Sequence, residues 1–123
     1  MLMSSTVVGE KVIYPVARRW TRHKMDVPIR VIVHSEEKSR VITGRGKEIS
    51  EGGMAVFAGV ELRLEDKIEI EFTPPYGGPI RVQGIVRNRK GYSYGVEFFA
   101  VTEEQAAEKE RLRAALNSAT LGN

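Results

Sequence analysis

The sequence predicts a mainly β fold, a small antiparallel barrel of about six strands followed by a C-terminal α-helix. Three observations carry this. Short runs alternate apolar and polar residues, most cleanly at IEIEF, Ile68 to Phe72. Clusters of glycine and proline separate the runs. The period changes from strand-like to helix-like only near the C-terminus.

In chain order, Val7, Val8, Val12 and Ile13 make residues 1–16 an N-terminal arm or an extra strand, and Pro15 separates them from the next segment. The polar segment Arg18–Lys24 lies between Pro15 and Pro28 and reads as a mobile arm. Pro28 opens the first barrel strand, IRVIVH, with Ile29, Val31 and Val33 on one face. The second strand, RVITGRGKEI, is weakened by Gly44 and Gly46. SEGG turns into the third, MAVFA. The fourth, IEIEF, points Ile68, Ile70 and Phe72 inward and sets Glu69 and Glu71 on a solvated face. TPPYGGP is a loop, and IRVQGIVRN comes next with Ile80, Val82 and Val86 on one face. KGYS turns the chain into the last strand, YGVEFF.

Thr102 and Gln105 have the spacing of a capping box, and Glu103 and Glu104 suit the positive end of a helix dipole. Leu112 and Leu116 share one helical face. The expected helix runs from about Glu103 to Leu116, ends near Asn117, and packs on the barrel or on a second copy in a homodimer.

At 123 residues the chain has the length of one domain, placed at residues 17–123. It is 41% hydrophobic and 28% charged, a globular composition. With no cysteine, disulfides, thiolate metal sites and cysteine nucleophiles are excluded together. No apolar run reaches the roughly 20 residues that span a bilayer. Met1–Tyr14 lacks the basic-then-apolar order of a secretory leader, so a cytoplasmic setting is expected. The only histidines, His23 and His34, do not have metal-ligand spacing, and no nucleophile–base pair stands out. No metal, cofactor or enzymatic activity is therefore expected.

The net charge of +3 does not define a partner, but its distribution is uneven. Lys11, Arg18, Arg19, Arg22 and Lys24 have no carboxylate among them, which suits an anionic partner. Glu61, Glu65, Asp66, Glu69 and Glu71 cluster later. Arg18 and Arg22 are four residues apart, so they share a face whether the segment is helical or extended. Two guanidinium forks suit phosphate or the O6/N7 edge of guanine, and Trp20 offers a stacking surface. A basic linker with one anchored tryptophan fits the same residues. In EISEGG, Glu48 and Ser50 project to one side of a strand. A carboxylate there accepts from guanine N1–H and N2–H, Ser50 supplies a short donor and acceptor, and Gly52 and Gly53 let a ligand approach the backbone. A simple turn, in which Ser50 bonds its own backbone, remains open.

Together these stretches resemble the PilZ domain, a bacterial receptor module for cyclic di-GMP. The RxxxR motif of that family matches Arg18-Arg19-Trp20-Thr21-Arg22. Its [D/N]xSxxG motif matches Glu48-Ile49-Ser50-Glu51-Gly52-Gly53, and its closing strand matches Gly95-Val96-Glu97-Phe98. The resemblance covers about Ala17 to Phe99. It implies second-messenger signalling: Arg18, Arg22 and Arg19 gripping cyclic di-GMP as the arm closes, Ser50, Gly52, Gly53 and Glu48 lining a guanine, and relay to a downstream protein. The departure is glutamate at position 48, where the family has Asp or Asn. It leaves a second reading open, a PilZ-like adaptor that acts through protein contacts without the dinucleotide. A nucleic-acid-binding small barrel is a third reading, opposed by the acidic cluster.

Overall fold

The structure, a computed structural model, describes residues 21–34, 38–74 and 78–121. The N-terminal segment 1–16 and residues Arg18 and Arg19 lie outside the described residues. Six strands form a closed barrel: β1 His23–His34, β2 Ser39–Ile49, β3 Gly53–Ala58, β4 Lys67–Phe72, β5 Ile80–Lys90 and β6 Ser93–Phe99. Every neighbouring pair is antiparallel, in the order β1-β2-β3-β6-β5-β4. Closure gives each of these strands a partner on both sides. Helix α1, Glu103–Leu121, comes after the barrel.

The alternating patterns become an inside and an outside. Ile29, Val31, Ile68, Ile70, Phe72, Ile80, Val82 and Val86 all enter one buried cluster. Val33 is only half-buried, whereas Ile32 is buried outside that cluster, between its strand partners Val41 and Glu69. Glu69 and Glu71 do lie on the outer face, but neighbours engage them. Glu71 pairs with Arg30 at 3.0 Å and Arg81 at 3.2 Å. Glu69 accepts from Gln83 at 2.6 Å and pairs with His34 at 2.8 Å. Burial works against the Glu69 carboxylate, but the Gln83 and His34 contacts prevail and hold its pKa below the ordinary value.

Two boundaries move. β1 begins at His23, so Pro28 lies within the strand and His23 and Lys24 belong to the barrel rather than to an arm. Proline is tolerated here because β4 joins β1 only from Arg30 on, so Pro28 has a strand neighbour on one side alone, just past a register shift between Lys24 and Val27. The helix extends to Leu121 instead of stopping near Asn117. No glycine or proline interrupts it before Gly122, and an exposed asparagine costs a helix only part of a kcal/mol, about 0.7 at most.

The N-terminus of α1 is capped as expected. The Gln105 N–H donates to Thr102 Oγ1 at 3.1 Å, and the Thr102 N–H donates to Gln105 Oε1 at 3.3 Å. Leu112 and Leu116 are buried in the barrel's own cluster, so the helix packs on its own barrel. The Arg81 N–H donates to Glu108 Oε1 at 3.0 Å, and Arg111 Nη2 donates to the Pro79 carbonyl at 3.0 Å, fixing the helix beside the start of β5.

Tyr94 of β6 holds the β3–β4 loop. It is 2% exposed; its hydroxyl accepts from the Leu62 N–H at 2.9 Å and donates to the Val60 carbonyl at 2.8 Å. Tyr94→Phe keeps the ring but strands a buried N–H. The expected loss is about 1–3 kcal/mol of unfolding free energy, read from a denaturant melt. Unchanged stability would mean that water replaces the hydroxyl.

Candidate functional site

The candidate site is built where β1 starts and β2 ends. His23 pairs with Ile49 and Lys24 with Glu48. Continued by one residue, this register sets Arg22 opposite Ser50. The second arginine of RxxxR and the serine of the EISEGG turn, distant in sequence, are therefore brought together by strand pairing. Arg22 is exposed, and its Nη1 lies 3.6 Å from Glu48 Oε1.

The turn is ordered by backbone hydrogen bonds, one within it and one from β6. The Ser50 N–H donates to the Gly53 carbonyl at 2.9 Å, and the Phe98 N–H donates to the Gly52 carbonyl at 2.9 Å. The Gly52 N–H donates to Ser50 Oγ at 3.2 Å. The serine thus makes the local bond expected of a simple turn, while its Oγ–H remains able to donate and a second lone pair to accept. Neither Gly52 nor Gly53 has positive φ; among the described residues the only glycine that does is Gly91, at 63°, in the β5–β6 turn. Gly53 answers a different need. A Cβ built on it would stand 2.3 Å from the Val96 carbonyl oxygen of β6.

More charge surrounds this end than the two motifs suggest. Arg45 and Lys47 both reach Asp26 Oδ1, at 3.0 and 3.3 Å, and the Arg45 hydrogen bond does most to hold the Asp26 carboxyl below its ordinary pKa. Arg45 and Lys47 are two apart on β2, so their common face was open to reading in RGKEIS. On the helix, Arg113 pairs with Glu110 and also feels the charge of Glu51 in the turn. Nothing in the local sequence links residues 51 and 113; only the docking of α1 brings them near.

The arrangement therefore offers guanidinium groups, a hydroxyl and a backbone turn on one rim of the barrel. Guanidinium and hydroxyl groups of this kind can hydrogen-bond the oxygens of an anionic group such as a phosphate. Among the described residues, no group of three or more His, Asp or Glu side chains could hold a metal ion. No helix among them is long and apolar enough to cross a membrane.

Comparison with known proteins bears on this geometry. A family model described as PilZ domain matches residues 17–118. Three solved structures share the fold. The PilZ domain of CeSA from a cellulose-synthesising bacterium superposes with a TM-score of 0.61 at 18% identity, covering 79% of this chain and 98% of that one. The PilZ domain of YcgR from Escherichia coli, solved with c-di-GMP, gives 0.59 at 16% identity over 84% and 93%. The Bacillus subtilis inhibitor of motility, MotI/DgrA, gives 0.53 at 19% identity, covering 81% of this chain and 51% of that protein. No curated protein sequence matches significantly.

Proposed function

Because the chain belongs to the PilZ domain family, we propose that it is a receptor for cyclic di-GMP that closes its RxxxR segment over the dinucleotide and passes the signal to a partner protein. The observation that carries this reading is the β1–β2 register, which places Arg22 beside the EISEGG turn. In this reading Arg22 and Arg18 grip phosphate and guanine edges, and Arg19 adds a further contact. Ser50 Oγ and the Gly52–Gly53 backbone line one guanine. Ordering a segment around a ligand changes the surface that a partner meets, and no catalysis is required. The structure of YcgR with c-di-GMP supports the ligand class. A cytoplasmic location is part of the same proposal, since a second messenger of this kind is met inside the cell.

One observation favours the adaptor reading instead. Glu48 stands where the family has Asp or Asn, and its carboxylate is already engaged by Arg22. Titration calorimetry of the chain with cyclic di-GMP, and separately with a single-stranded RNA, separates the readings. The receptor reading expects saturable heat with the dinucleotide and none with RNA. Heat only with RNA would make the barrel a nucleic-acid module, and heat with neither would make it an adaptor.

A further inference from the structure

We propose that Glu48 acts as an internal competitor for the ligand, a carboxylate latch that occupies Arg22 until cyclic di-GMP displaces it. This rests on the receptor reading above and changes the part that Glu48 plays in it.

The geometry is the starting point. Arg22 Nη1 lies 3.6 Å from Glu48 Oε1, with the two side chains 53% and 34% exposed. Lys24 is the strand partner of Glu48, yet the carboxylate meets the guanidinium one step beyond the strand end. A carboxylate and a phosphate present similar anionic oxygens to a guanidinium, so Glu48 Oε1 stands in for a ligand oxygen at Arg22 Nη1. While Oε1 faces the arginine, the carboxylate is turned toward Arg22, so serving a guanine edge with both oxygens requires it to let go.

Side-chain length decides which residue can do this. At 3.6 Å the contact is near the limit of an ion pair, so an aspartate, one methylene shorter, would fall out of reach from the same backbone. Asparagine carries no charge to pair. The two residues usual at this position therefore leave the arginine available, and glutamate does not. A pair this exposed is weak, so the latch tunes affinity and does not abolish it.

The experiment is a titration of cyclic di-GMP into the native chain, Glu48→Gln and Glu48→Ala, with each Glu48 change repeated in an Arg22→Ala background. Melting temperatures check that every variant folds. The latch predicts that Glu48→Gln and Glu48→Ala each tighten binding by about threefold to fivefold, the scale of an exposed ion pair. It also predicts that this gain disappears once Arg22 is alanine, because the effect runs through that residue. Binding by the two Glu48 variants but not by the native chain would support the latch in its strongest form. Weaker or unchanged binding in Glu48→Ala would overturn it and leave the receptor reading intact, with Glu48 a guanine acceptor in the first case. A gain that persists without Arg22 would also overturn it, since the carboxylate would then act by simple repulsion of phosphate. If neither the native chain nor any variant binds, the receptor reading fails and the latch fails with it.

Discussion

Gly53→Ala is expected to cost about 3 kcal/mol or more of folding stability in the absence of any ligand. The added methyl would stand 2.3 Å from the Val96 carbonyl oxygen and 3.3 Å from its carbon. Neither atom belongs to a side chain that can turn aside. Gly53 pairs with Glu97 and Met54 with Val96 across β3 and β6, so relief of the clash must separate strands of a closed barrel. Gly59→Ala provides the control, since a Cβ there meets nothing within 4 Å. Urea melts of the two variants read the difference. If Gly53→Ala were as stable as Gly59→Ala and lost only cyclic di-GMP binding, the glycine would serve the ligand and not the barrel.

Gly53 also marks where sequence reasoning stops short. The motif glycine is legible as a requirement for close approach, but the sequence does not reveal what approaches. The approach is made by β6, three strands later in the chain, and only strand order exposes it. The strands themselves are legible because an alternating pattern such as IEIEF has one stable placement, apolar side inward. The helix is legible from its capping box and from Leu112 and Leu116. The outer face is harder to read. Glu69 and Glu71 look solvated in sequence because their partners, His34, Gln83, Arg30 and Arg81, come from two other strands. The start of β1 lies ahead of Pro28 because a stretch paired on one side only tolerates proline, and sequence alone does not tell such a position from a break. For the candidate site, the motif residues can be named from sequence alone. That Arg22 and Glu48 touch each other cannot, since it depends on a register that no local pattern encodes.

The contact between these two residues sharpens what removal of Arg22 should do. Arg22→Ala deletes a charge-assisted contact, worth about 2 kcal/mol or more where a guanidinium holds a ligand anion bidentately. It also spares the ligand the cost of breaking the exposed Arg22–Glu48 pair, which offsets less than about 1 kcal/mol of that loss. The net expectation is binding weakened by roughly fivefold to thirtyfold, at about 1.4 kcal/mol per factor of ten. Folding should be little affected, because Arg22 is exposed and precedes β1. Arg18→Ala should cost about as much, since the resemblance gives the two arginines matching parts. Arg22→Lys tests the nature of the contact: an ammonium keeps the charge and loses the planar fork, so it should recover only a small part of the affinity. Titration calorimetry at one ionic strength, with melting curves alongside, measures all three. If lysine restored full affinity, Arg22 would act only through its charge, and an edge-on grip of phosphate or guanine would be wrong. If alanine left affinity unchanged, Arg22 would not touch the ligand at all, and its contact with Glu48 would belong to the barrel rim alone.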